Sequence, residues 1–144
     1  MNKNVTGYIH ATFTVLLALF FLNAGVKKFI PKPPRPIDKE VVFAALEKDV
    51  LDKPVSFQLT MRAMKQSGFL YVIGVFQILS ALLMVWPKTR LVGLLLLLPI
   101  IVNIFLLHFF MDNRVGENIE TGILLAITAL LASYYYKRLL PLIQ

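Results

Sequence analysis

The sequence predicts an all-α integral membrane protein, a four-helix up-down bundle with an amphipathic interfacial helical segment between its first two spans. Of its 144 residues, 58% are hydrophobic and only 16% are charged, whereas soluble domains average about 45–50% and about 25%. One small core cannot bury this excess, so the composition excludes a disordered protein, a coiled coil and an ordinary soluble enzyme. The chain has no cysteine, which excludes disulfides and thiolate metal sites.

Four stretches are apolar enough to cross a bilayer, whose core of about 30 Å requires roughly 20 apolar residues in a helix. We expect a single transmembrane domain with spans at about residues 7–28, 68–86, 91–111 and 117–136. The last three spans are joined by short links. Short links make sequential helices antiparallel neighbours, which gives the up-down order.

The polar segment at residues 29–67 is expected to cap one face of the bundle. Asp38 looks like the N-cap of an amphipathic helix over residues 39–51, which Pro54 would end. A second short helix is expected at about residues 56–66. Its apolar face would carry Phe57, Met61 and Met64. Both helices are expected to lie flat on the membrane surface.

The distribution of Lys and Arg residues indicates which side of the membrane the termini lie on. An even number of spans puts both termini on one side, together with the link between the second and third spans. The five cations of that side, without an acid, are Lys3, Lys88, Arg90, Lys137 and Arg138. The remaining Lys and Arg residues and every acid lie on the other side, so a raw count of cations favours the long loop inside. Net charge and cation density favour cytoplasmic termini, which we expect. Nucleic acid is not an expected partner.

Polar residues at membrane depth are the candidates for function, because each is costly there. The candidate ligand-binding residues are Asn23, Lys27, Gln77, Asn103, His108 and Glu120. At 1.5 Å per residue, Asn23, Lys27, His108 and Glu120 fall in the membrane half next to the long loop. They would form a polar site beneath the cap that binds the head group of a quinone, a lipid or another amphiphile. The alternative is that they only hydrogen-bond the helices together.

Several other residues are expected to be structural. His10 lies near the opposite membrane face from His108 and is expected to be interfacial, so one chain cannot clamp a haem between its histidines. No metal site is predicted. Pro99 leaves the Leu95 carbonyl without its helical donor, and Gln77 is a candidate donor to it. Lys28 is expected to snorkel to the interface. A stripe of small residues suits close packing of the fourth helix: Gly122, Ala126, Ala129 and Ser133.

Three segments resemble the DoxX family of small bacterial four-helix membrane proteins. They are LNAGVKKF at residues 22–29, GFLYVIGVFQILSALLMV at 68–85 and LLLLLPIIVNIFLLHFFMD at 94–112. The third segment, with its P-x-x-x-N-x-x-x-x-H spacing, is the most specific. The resemblance implies that Lys27 or Lys28 matches a family lysine and that Asn103 and His108 match a polar pair. Helix two of the family usually carries a glutamate where this chain has Gln77, which cannot give up a proton.

The resemblance also implies a place in the bacterial inner membrane and a link to membrane redox systems. On this basis we expect an accessory or partner-binding subunit that binds a small hydrophobic ligand or lipid. The first alternative is a catalytic subunit of a quinone-linked oxidoreductase, and the second is a structural membrane protein. No cofactor is visible in the sequence, and a quinone is the one to consider. The bilayer, a soluble redox protein and a second copy of the chain are the partners left open.

Overall fold

The computed structural model describes residues 3–31, 36, 38–48, 52–112 and 114–139, and the regular structure within them is entirely helical. In chain order the helices are α1 (Lys3–Val26), α2 (Lys39–Glu47), α3 (Lys53–Gln66), α4 (Phe69–Val85), α5 (Arg90–Met111), α6 (Val115–Ser133) and α7 (Tyr136–Leu139). The prediction of an all-α protein is confirmed.

Three of the described helices, α1, α5 and α6, are long and apolar enough to cross a membrane. A fourth crossing is available if α3 and α4 count as one bent span, with an angle of 81° between them. The bend lies at Gly68, whose φ of +78° is in the left-handed region that favours glycine. These helices make the chain a membrane protein by length and composition.

The observed helix ends differ modestly from the predicted ones. The first helix ends at Val26 rather than near residue 28, because the chain turns at Lys27 and Lys28. The last long helix ends at Ser133 rather than at residue 136, where Tyr135 forms a turn back to Ala132. Helix α5 continues through Pro99 without interruption.

The polar segment forms the two expected helices. Asp38 caps α2 by accepting hydrogen bonds from the backbone N–H groups of Glu40 and Val41, as predicted. Helix α2 ends at Glu47, and residues 49–51 of the predicted helix lie outside the described residues. The expectation for Pro54 was wrong, because it lies in the first turn of α3, where its missing N–H costs no helical hydrogen bond.

The two polar-segment helices differ in what they contact. Helix α3 packs against α4 and α5, so it covers one end of these helices. All nine residues of α2 are exposed or only partly buried, including its apolar residues Val41, Phe43 and Leu46. Exposed apolar side chains such as these are typical of a helix at a membrane surface.

The long helices pack around a common apolar core. Helix α1 packs against α4, α4 against α5, and α5 against α6, while α6 also contacts α1. The buried apolar side chains of this core are Leu17, Ala18, Phe21, Ala81, Met84, Leu94, Leu97, Ile101, Leu131 and Ala132. Gly25 of α1 and Gly74 of α4 face each other, and a Cβ on either would lie about 3 Å from the backbone oxygen of the other. Small residues here allow the two backbones to approach closely.

His10 is buried within the bundle: its Nε2–H donates to the Leu131 carbonyl at 3.0 Å, and its ring stacks on Tyr134. The structure corrects one expectation about packing. The small-residue stripe of α6 is mostly exposed, although a Cβ at Gly122 would contact Phe105 of α5. The α6 residues that are buried are Thr121, Thr128, Leu131 and Ala132. Because successive residues are 100° apart in a helix, these buried residues lie on a different side of α6 from the stripe of small residues.

Candidate functional site

A cluster of charged side chains surrounds Asp112, at the link between α5 and α6. The Asp112 carboxylate is 3% exposed and accepts hydrogen bonds from the Arg114 guanidinium, the shortest at 2.6 Å. Its Oδ2 also lies 3.0 Å from His108 Nδ1, one helical turn earlier. Arg114 in turn donates to Glu117 at 2.9 Å. One buried carboxylate therefore organises a cation and an imidazole.

The charge of Asp112 is held by its neighbours. Hydrogen bonds from Arg114, with a smaller contribution from His108, lower the pKa of the Asp112 carboxyl from 3.8 to about 2. Together they outweigh burial, which by itself would raise this pKa. The same contact with Asp112 raises the pKa of Arg114. An ionised carboxylate can only accept, so His108 Nδ1 carries the hydrogen and donates it. The Nε2 atom of His108 has no hydrogen-bond partner among the described residues, which leaves it available as a proton acceptor when the ring is neutral.

Helix α3 covers this cluster with one face. The Phe57 ring lies 4.9 Å from the His108 ring, centroid to centroid, and 5.5 Å from the Arg114 guanidinium carbon. One turn later, Thr60 donates to the Met111 sulfur at 3.8 Å. The predicted apolar face of α3 is thus used against α5, and Phe57 provides an aromatic surface for two positively charged or ionisable groups.

A groove of about 420 Å³ lies beside the cluster, between α4 and α5, with α3 at one end. Its lining consists of Met64, Phe69, Val72, Ile73, Phe76, Pro99, Ile100, Asn103, Ile104 and Leu107. Nine of these ten residues are apolar. Asn103 is the exception, and its Nδ2 donates to the Pro99 carbonyl at 3.3 Å. The size and apolar character are typical of sites for small hydrophobic ligands.

Four of the six predicted site residues are exposed: Asn103, which lines the groove, and Asn23, Lys27 and Glu120, which are not part of its lining. Asn23 lies on the side of α1 away from α4, because it is two residues, or 200°, from Gly25, which faces α4. Glu120 is one residue from buried Thr121 and points outwards. No hydrogen bond or ion pair within the described chain joins the three side chains outside the lining to His108.

Three of the six predicted residues lie on α4 and α5. His108 belongs to the Asp112 cluster and Asn103 to the groove. Gln77 is 1% exposed, and its Oε1 is buried without a hydrogen-bond partner. The structure does not form the expected hydrogen bond from Gln77 to the Leu95 carbonyl: among the hydrogen bonds of the described residues, none involves Gln77.

Sequence reasoning did not select Asp112, Arg114 or Phe57. The spacing of His108 and Asp112, four residues apart, places both on one helix face and was a usable signal. It was overlooked because Asp112 lies just past the charge-free span. No protein-family model matches the chain, and no curated protein or solved structure gives a significant match. The resemblance to the DoxX family therefore rests on the segments of α1, α4 and α5.

Proposed function

We propose that the chain is a DoxX-like protein of the bacterial inner membrane that acts as an accessory subunit and binds a small hydrophobic ligand in the groove between α4 and α5. It crosses the membrane four times as an up-down bundle, with α4 as the second crossing. The termini are cytoplasmic, and α2 and α3 lie at the opposite face. The groove is the observation that carries this proposal.

The groove suits a ligand from the bilayer. Its volume of about 420 Å³ is within the usual range of about 300–1,000 Å³ for small-molecule sites. Helix α3 contributes Met64 at one end, so the polar-segment helix limits the length of whatever occupies the groove. Phe69, Val72 and Phe76 are each more than 40% exposed on the α4 side, which gives an acyl or isoprenoid chain an apolar surface to cover.

Blocking the groove tests this function. Val72→Trp should fill it, because Val72 is part of its lining. We expect native mass spectrometry of the protein, purified in mild detergent from its native membrane, to detect a bound hydrophobic molecule that the Val72→Trp variant loses. Val75→Trp is the matched control, since Val75 is the same residue type on the same helix, is 52% exposed, and is not part of the lining. Equal retention by both variants would contradict the proposal.

The proposed topology predicts opposite labelling of two sites. Single cysteines at Ala45 in α2 and at Lys137 in α7 can be introduced into this cysteine-free chain. With four crossings and cytoplasmic termini, a membrane-impermeant maleimide should label the Ala45→Cys variant in intact cells. The Lys137→Cys variant should label only after the cells are opened. Labelling of both sites from outside would exclude an even number of crossings.

A catalytic role in a quinone-linked oxidoreductase is the second candidate, and one observation favours it. Asp112 orients the His108 ring through Nδ1, which leaves Nε2 of a neutral ring able to take a proton from a reduced head group. Electrons would have to pass to a partner protein. We expect His108→Gln to reduce such an activity without lowering the yield of folded protein, whereas a purely structural His108 would affect folding alone.

A further inference from the structure

Asn103, an exposed residue in the lining of the apolar groove, has an unused hydrogen-bond acceptor. Its Nδ2 donates to the Pro99 carbonyl, and a carbonyl can only accept, so this contact fixes which end of the amide is nitrogen. Its Oδ1 is therefore directed away from Pro99. Among the described residues no group donates to that oxygen, and the remaining groove residues are apolar.

The depth of Asn103 makes this unused acceptor costly. If α5 crosses the membrane, Asn103 lies about 4 Å past the midpoint of the helix, at a rise of 1.5 Å per residue. A polar group at this depth has no water to bond and is unfavourable unless a donor reaches it. Leucine or isoleucine would avoid that cost at a position that faces only acyl chains.

The chemistry of the occupant follows from two requirements: it must offer a hydrogen-bond donor to Asn103 Oδ1, and it must reach the middle of the bilayer. A phospholipid or fatty-acid head group is charged and does not reach the middle of the bilayer. A plain hydrocarbon chain reaches it but offers no donor. We propose that the groove binds a neutral, membrane-soluble lipid alcohol, whose hydroxyl donates to Asn103 Oδ1 while its apolar body lies along Phe76 and Ile104. This assignment rests on the proposed function, since it names the class of the groove's ligand.

A tryptophan in the groove can measure binding of matched probes. Trp86 is the single tryptophan of the chain, so Phe76→Trp in a Trp86→Phe background places one fluorophore in the lining. The probes are dibromo-octadecanol and its methyl ether, which have equal chains and bromine positions. Both quench tryptophan on contact, and both carry an oxygen, but only the alcohol has an O–H donor.

The alcohol should bind about fivefold more tightly than the ether, the ratio that corresponds to one ordinary net hydrogen bond. Adding Asn103→Leu to the reporter should make the two affinities equal. Equal affinity of alcohol and ether in the reporter itself would overturn the assignment of a lipid alcohol and leave the groove as a binding site. Absence of quenching by either probe would overturn both this assignment and the proposed function.

Discussion

Replacing Gly93 with alanine is expected to lower the unfolding free energy by about 1–3 kcal/mol, the cost typical of forcing an atom into a packed core. A Cβ at Gly93 would lie 2.7 Å from the Ser80 carbonyl oxygen and 2.8 Å from both the Met84 backbone nitrogen and Cγ. Backbone atoms of α4 cannot move aside as a flexible side chain does. The two helices would have to separate at this point of contact.

Gly116→Ala is the matched control for this substitution. Gly116 also lies in a helix, α6, but a Cβ there would meet no atom within 4 Å. Alanine favours the helix by up to about 1 kcal/mol relative to glycine. The same chemical change should therefore be destabilising at Gly93 and neutral or stabilising at Gly116. Thermal unfolding in mild detergent measures both, and an unchanged Tm for Gly93→Ala would show that α4 and α5 are not in such close contact.

The helices could be predicted because their signal is local. Long charge-free runs in the sequence give the apolar helices α1, α5 and α6, and Asp38 marks the start of α2 by its capping geometry. Which face of each helix is buried depends on its neighbours. The small residues of α6 satisfied the pattern for close packing, yet the helix is rotated so that Thr128 and Leu131 are buried instead.

The candidate site was predictable only in part for the same reason. Counting residues along each helix gives the depth of a side chain in the membrane, and this depth made His108 and Asn103 candidate site residues. It does not give direction around the helix axis, so Asn23 and Glu120 were grouped with residues that they do not contact. Asp112 was missed because, in the sequence, a charged residue just beyond a span looks like any charged residue of a solvent-exposed link. Its burial results from the packing of α3 and from the return of the chain at Arg114, neither of which the local sequence shows.

Replacing Asp112 with asparagine should destabilise the α5–α6 link more than any other single change of charge in this cluster. The carboxylate is almost fully buried and is the acceptor for both His108 and Arg114. Asparagine keeps the shape but removes the charge, so the guanidinium loses its main counter-ion. We expect a loss of about 1.5–3 kcal/mol, the range for hydrogen bonds that involve charged groups.

Glu117→Gln is the control for Asp112→Asn. Glu117 pairs with the same Arg114 at 2.9 Å, but its side chain is 40% exposed, as is that of Arg114. Exposed ion pairs contribute about 0–1 kcal/mol. Both variants remove one negative charge, so a difference between them reports burial rather than net charge. Equal shifts in Tm would contradict the assignment of Asp112 as the residue that holds the cluster together.

The pH dependence of stability provides an independent measurement of the same carboxylate. The pKa of Asp112 is lowered to about 2 in the folded protein from an ordinary value of 3.8, so the unfolded chain binds its proton first as the pH falls. The stabilisation is complete well above pH 3.8 and decreases as the pH falls towards 2. The difference in stability between the wild-type protein and Asp112→Asn should therefore narrow as the pH falls below 4. A constant difference down to pH 2.5 would mean that Asp112 is not held ionised by Arg114 and His108.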